Sequence, residues 1–195
     1  MARLKTISNF KSSLIGGGAR PNLFEVELTT PPTGVTGWDK EKFSYMCKAA
    51  TLPASNLAAI DVPFRGRIFK VAGDRTFDTW TVTIINDEDF KLRNAFESWM
   101  DVISKLGNNL GATNPGSYMC DATVYQLGRG STSNSKDSNG SDNSILKTYK
   151  FIDIFPTNIS AIDLSYDTSD TIEEFTVEFQ VQSFELVSTS AAGKA

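Results

Sequence analysis

The chain has 195 residues, 23 acidic against 19 basic side chains, a net charge of −4 and no histidine. A chain of that length buries roughly 70% of its unfolded surface, enough for one well-filled core and one domain. The charge balance argues against a nucleic-acid grip, which scales with the Lys and Arg contacts on offer, and the lack of histidine removes Ser-His-Asp and Cys-His chemistry and histidine-ligated metals.

The first 24 residues, "MARLKTISNFKSSLIGGGARPNLF", carry Arg3, Lys5, Lys11 and Arg20 and no acid. Their bias is that of a transit peptide, but no apolar run of secretory type is present, so residues 1–20 read as a flexible basic arm. Gly16, Gly17 and Gly18 read as its hinge. The domain proper is expected over 21–187, with a short tail at 188–195. Nowhere do about 18 consecutive apolar residues occur that would anchor the chain in a membrane.

From Pro21 onward the signal has period two. Phe24, Val26 and Leu28 alternate with Glu25, Glu27 and Thr29 over 22–30, and Trp80, Val82 and Ile84 alternate with Thr79, Thr81 and Thr83 over 79–84. Near the C-terminus Phe175, Val177, Phe179 and Val181 face one way while Thr176, Glu178, Gln180 and Gln182 face the other. Each of these strands therefore has one wet face. Weaker strand candidates lie at 43–49, 64–71, 118–127, 145–155 and 159–166, separated by turn-formers such as Pro53, Pro63, "NPG" at 114–116 and Pro156.

One helix is expected between the strands. Asn86 and Asp87 are its cap candidates, Glu88 and Asp89 its acidic first turn, and Leu92, Phe96, Trp99, Ile103 and Leu106 recur at helical spacing before Gly107. The aromatic stripe reads as core packing, and the acids as partners of the helix dipole. Residues 129–144, "RGSTSNSKDSNGSDNS", hold six serines, three asparagines and two glycines and nothing to bury. They read as a loop with a hairpin apex at Asn139-Gly140. A calcium-loop register begun at Asp137 fails, because Asp142 falls where glycine is needed and Thr148 where glutamate is needed.

No catalytic, cofactor or metal site emerges. Cys47 and Cys120 read as two buried thiols without metal-ligand spacing, and there is neither a Walker A motif nor a G-x-G-x-x-G between strand and helix. The chain reads as a mainly β, antiparallel sandwich or barrel with one flanking α-helix, no cofactor and no enzymatic role.

Five segments carry a family resemblance: "ARPNLFEVEL" at 19–28, "CKAATLP" at 47–53, "VAGDRTFDTWTVTIIND" at 71–87, "FPTNISAIDLSYD" at 155–167 and "EEFTVEF" at 173–179. In that order they resemble the tail tube proteins of contractile-tailed bacteriophages, which are related to pyocin and type VI secretion tubes. Departures fall around 31–42 and within 129–144, where insertions are expected to decorate the outside. The resemblance implies rings, six subunits each, stacked into a hollow tube inside a contractile sheath. Implied partners are further copies of the chain, the sheath, the baseplate and the tail terminator; DNA passes through without specific binding. The implied location is the virion tail after synthesis in the host cytoplasm. Ring closure would remove exposed sheet edges, and an acidic or neutral lumen lets phosphates slide. The polar face Thr176, Glu178, Gln180 and Gln182 is its candidate lining.

In such tubes the excursion at 52–75 would reach onto the adjacent ring. Gly73 is expected to make its sharp return, with Arg65, Arg67, Phe69, Asp74, Arg75 and Asp78 as contacts to neighbours. The competing expectation is that Asp74 and Arg75 merely close a turn within one subunit. Rival functions are a baseplate or tube-capping protein of the same fold, separable by whether single rings or extended tubes form, and a soluble β-domain binding carbohydrate or peptide, which would stay monomeric.

Overall fold

The computed structural model describes residues 6–14, 18–29, 31–52, 54–129 and 145–187. Contacts group the chain into two units, Val26–Thr123 with Lys150–Glu185, and Met1–Glu25 with Val124–Tyr149 and Leu186–Ala195. The boundaries fall inside strands. The expected apex at Asn139-Gly140 lies outside the described residues, as does the tail at 188–195.

The strands are β1 (Phe24–Leu28), β2 (Cys47–Ala50), β3 (Ser55–Phe64), β4 (Arg67–Phe77), β5 (Trp80–Ile85), β6 (Cys120–Leu127), β7 (Ile145–Ile159), β8 (Glu174–Gln180) and β9 (Ser183–Val187). Seven of them form one sheet in the order β1-β6-β7-β8-β5-β2, with β9 pairing to β7, while β3 and β4 form a separate two-stranded sheet. β5 is antiparallel to both β2 and β8. The architecture is mainly β and antiparallel, as the alternation predicts.

The alternation sets the core. Trp80, Val82 and Ile84 on β5 pair directly with Phe179, Val177 and Phe175 on β8, and all six are buried. On this face lies α3 (Lys91–Ile103), which buries Leu92, Ala95, Phe96 and Trp99. Phe96 stands 5.9 Å from Phe179, 6.3 Å from Phe175 and 5.5 Å from Trp38, so one ring joins the helix, the sheet and the loop that ends at Asp39. Trp80 stacks at 4.8 Å on Phe151. Aromatic pairs of this kind add about 0.5–1.5 kcal/mol each beyond their buried area.

Several expectations change. The helix begins at Lys91 behind Phe90, whose φ is 50°, and not at Asn86 or Asp87. Asp87 and Asp89 serve a tertiary contact instead, receiving Lys42 Nζ at 2.9 and 2.6 Å. The helix stops at Ile103, and Leu106, placed by spacing in the apolar stripe, is 95% exposed. Two further short helices accompany it: α1 (Ile7–Ser13), inside the segment read as a flexible arm, and α2 (Lys40–Met46), which replaces the first half of the strand expected at 43–49. Asp39 caps α2, accepting from Lys42 N at 3.1 Å and from Lys91 Nζ at 2.8 Å. Trp38 packs at 5.3 Å on Phe43, so 31–42 includes part of the core and is not only outer decoration.

The strand expected at 159–166 is absent: β7 runs through to Ile159 across Pro156, with a register shift between Pro156 and Asn158, and 161–173 form a loop. A bulge is where a strand tolerates a proline. The thiols are half-buried and unpaired with each other. Burial pushes Cys47 up to about 12 and raises Cys120 further, so both stay protonated at neutral pH.

Candidate assembly surface

The segment 52–75, expected as a long excursion with a weaker strand candidate at 64–71, is mostly a β-hairpin of β3 and β4, and its turn interrupts that candidate strand. Its two-residue turn is Arg65-Gly66, with φ of 46° and 81°, the left-handed pair that matches the right-handed twist of the strands. The return therefore happens at Gly66 and not at Gly73. Gly73 lies in β4 at an irregularity where Leu57 faces Arg75 but Ala59 faces Ala72. A Cβ there would stand 3.1 Å from Ile60 Cγ1 and 3.2 Å from the Ala58 carbonyl oxygen, so a side chain would fit only if those neighbours gave way by a few tenths of an ångström.

The register divides the hairpin into two unlike faces. Ile60 faces Val71 and Val62 faces Phe69, with Phe64 following on the same side; Asp61 faces Lys70 on the other, where they form an ion pair at 3.4 Å. Every one of these residues is exposed, Phe64 and Phe69 at 66% each. The described residues thus leave this apolar face exposed on a two-stranded ribbon, an element that is marginally stable in water by itself.

The root is firmly held. Asp78 Oδ1 accepts from Asn56 Nδ2 at 2.9 Å, Asp78 N donates to the Ala54 carbonyl, and Phe77 meets Phe184 edge-on at 5.3 Å. Of the residues singled out from the sequence, Asp78 is thus engaged within its own chain. Arg65 lies with its guanidinium carbon 5.5 Å from the ring of Phe64. Among the described residues the side chains of Arg67, Asp74 and Arg75 meet no hydrogen-bond or ion-pair partner, and Arg75 sits in a strand opposite Leu57 rather than in a turn.

The other sequence-derived group is a sheet face. Thr176, Glu178 and Gln180 lie half-buried on the side of β8 away from α3, next to Thr81 and Thr83 of β5. Thr83 and Thr176 bring their hydroxyls to 3.5 Å, and Glu174 binds Lys48 Nζ at 2.5 Å. Gln182 falls in the β8–β9 connection, outside the strand. Sequence reasoning overlooked Leu57, Ile60, Val62 and Phe64, although "DVPF-RG-RIFKV" carries a usable signal: two alternating runs around a two-residue turn ending in Gly.

The family model for phage tail tube proteins matches residues 19–187. The tail tube protein gp19 of Enterobacteria phage T4 is 33% identical over 170 residues, covering 87% of this chain and 93% of that protein. A tail tube protein of Serratia phage KSP90 is 24% identical over 179 residues, or 91% and 94% of the two chains. In fold the chain is similar to a chain of the PVC extracellular contractile injection system's sheath–tube complex in its extended state, with a TM-score of 0.59 at 12% identity over 90% of this chain and 95% of that one. It is also similar to the tube-terminating cap of the anti-feeding prophage, with a TM-score of 0.56 at 16% identity over 87% and 90%. With its alternating strands, α3 packed on the sheet and its long exposed hairpin, the chain belongs to the phage tail tube protein family.

Proposed function

We propose that the chain polymerises into stacked rings, six subunits to a ring, and that the β3–β4 hairpin covers a neighbouring copy. The observation that carries this reading is the hairpin's apolar face, which the described residues of the subunit leave exposed. Phe69, with Ile60, Val62, Phe64 and Val71, supplies the apolar contact. Arg65, Arg67 and Arg75 offer planar forks to carboxylates or carbonyls of the neighbour, and Asp74 an acceptor. Gly73 lets the strands approach at the irregularity, and Asp78 holds the root so that the hairpin is presented at a fixed angle.

As a member of this family the chain is a structural component of the virion tail. Its role is mechanical and not catalytic. The face of Thr176, Glu178 and Gln180 lines the lumen: hydroxyls, an amide and one carboxylate per subunit give DNA phosphates nothing to grip. The sheath surrounds the tube and the baseplate and terminator close its ends.

Electron microscopy of the purified protein, alone and with baseplates, tests the reading. Extended tubes are expected. Single terminal rings would make the chain a cap or baseplate component, and stable monomers under every condition would return it to the class of soluble binding domains. In the same assay Ile60→Asp with Val71→Asp, a cross-strand pair on the apolar face, should abolish growth while leaving the monomer folded.

A further inference from the structure

We infer, building on the assembly role proposed above, that the acidic loop between β7 and β8 is the surface that receives the hairpin tip of a second copy. Residues 160–173 carry Asp163, Asp167, Asp170 and Glu173 and neither Lys nor Arg. The loop folds around an open cleft of about 640 Å³, on whose lining Leu164 and Ile172 are largely exposed. Glu173 is engaged by Asn86 Nδ2 at 2.9 Å, but the carboxylates of Asp163, Asp167 and Asp170 meet no partner among the described residues. Nor do three acidic, thiol or imidazole groups gather there closely enough to hold a metal ion, among the described residues. Asp163 lines the cleft beside Leu164 and Ile172, while Asp167 and Asp170 lie on the same loop outside its lining, so the loop as a whole offers exposed apolar side chains and negative charge and suits a partner that is apolar and basic.

The hairpin tip has that composition. Arg65 and Arg67 flank Gly66 between the exposed rings of Phe64 and Phe69, and residues 55–77 carry Arg65, Arg67, Lys70 and Arg75 against Asp61 and Asp74. Guanidinium forks bind carboxylates in two-pronged fashion, and opposed potentials fix register and speed encounter.

The register of β5 places the roots of the two segments at opposite ends of one strand. The hairpin leaves the sheet beside Trp80, which pairs with Phe179, whereas the loop leads into Glu174, which pairs with Ile85. The Asn86 amide donating to the Glu173 carbonyl at 2.8 Å fixes the loop at that end. The two roots are therefore about 17 Å apart, five residue steps at ~3.4 Å each. Two different, mutually complementary patches on one chain make a head-to-tail contact between copies, which repeats from copy to copy instead of closing on a pair.

The test uses the full chain growing on baseplates, read as the subunit concentration needed for elongation. Arg65→Glu with Arg67→Glu should raise that concentration at least tenfold, because like charges then meet across the contact, and Asp163→Lys with Asp167→Lys should do the same. All four substitutions in one chain should restore growth to within about threefold of the unaltered protein. Growth by the Arg65→Glu/Arg67→Glu chain at the ordinary concentration overturns the inference, as does a four-substitution chain no better than its parents. Either result alongside loss of growth in Ile60→Asp/Val71→Asp would keep the hairpin as a contact and remove only the loop as its receiver. Should a charge-reversed chain melt abnormally, a second measurement decides. Arg67→Cys subunits mixed with Asp167→Cys subunits should give a mixed disulfide under mild oxidation, and assembled tubes without it refute the contact.

Discussion

Removing the two aromatic rings from the hairpin, Phe64→Ala with Phe69→Ala, separates assembly from folding. An aromatic side chain buries roughly 150–250 Å² when fully covered, and each of these rings is 66% exposed. Covering both would remove about 200–330 Å² from water, worth at most ~5–8 kcal/mol at ~25 cal/mol/Å². Ordering costs and incomplete cover reduce that upper bound. With half of the area covered, about 3 kcal/mol remains, which is roughly a hundredfold in the concentration needed for elongation. The monomer should hardly notice, because neither ring touches the core. A surface change within about 0.5 kcal/mol moves the melting temperature by only ~1–2 °C in a chain of this size. Sedimentation of tubes grown on baseplates over a series of subunit concentrations measures the first quantity, and thermal melting of the monomer the second. A variant that melts more than about 5 °C lower yet elongates at the ordinary concentration would refute the reasoning, since the rings would then stabilise the subunit and not the contact.

Arg75→Ala is expected to leave monomer melting unchanged and to slow elongation, because its side chain has no partner among the described residues; a lower melting temperature with normal growth would assign it to the fold. Phe96→Ala should cost ~3–5 kcal/mol by opening a cavity where helix and sheet meet, visible as lost stability in denaturant titration before any assembly is measured. Amides of Ile7–Ser13 should exchange freely in the monomer, since α1 has seven residues and buries none, and should gain protection in assembled tubes; equal exchange in both states would remove the arm from the interface. Asp39 is held below the usual carboxylate range first by the Lys91 ammonium and then by the Lys42 amide, and Asp89 first by Lys42 and then by the Lys91 amide. Depressed carboxylates stabilise the fold above their unfolded values and lose that contribution as pH falls through the folded ones. Stability should therefore decline below about pH 4, and Asp39→Asn should flatten that decline in acid titrations followed by circular dichroism.

Strands β1, β5 and β8 are legible in the sequence because each has one dry and one wet face, and period two records that difference directly. β8 shows it best: Phe175, Val177 and Phe179 are buried and Thr176, Glu178 and Gln180 half-exposed, as their alternation requires. The start of α3 is not legible. Asp87 and Asp89 look like first-turn acids, and only the fold reveals that they face Lys42, more than forty residues away in the chain. Pro156 breaks β7 on paper, whereas the neighbouring register shift absorbs it in the sheet. The hairpin is legible only in part. Phe69 is singled out in the excursion at 52–75 but Ile60, Val62 and Val71 are not, although these alternate and all four are exposed. The glycine at position 73 likewise suggests a turn from sequence, but the close approach of Ile60 and Ala58 that favours it belongs to the paired strands.

That the hairpin root and the acidic loop occupy opposite ends of β5 has a consequence for how such a polymer ends. A stack joined through those surfaces presents hairpins at one terminus and acidic loops at the other, so the two ends are chemically different objects and can be recognised by different proteins. Each added subunit also recreates the site it consumes, and nothing in it changes with the number already added. The subunit is therefore unable to count. If tubes of this chain share a defined length, the ruler and the stop signal reside in other molecules, and the subunit contributes only a direction.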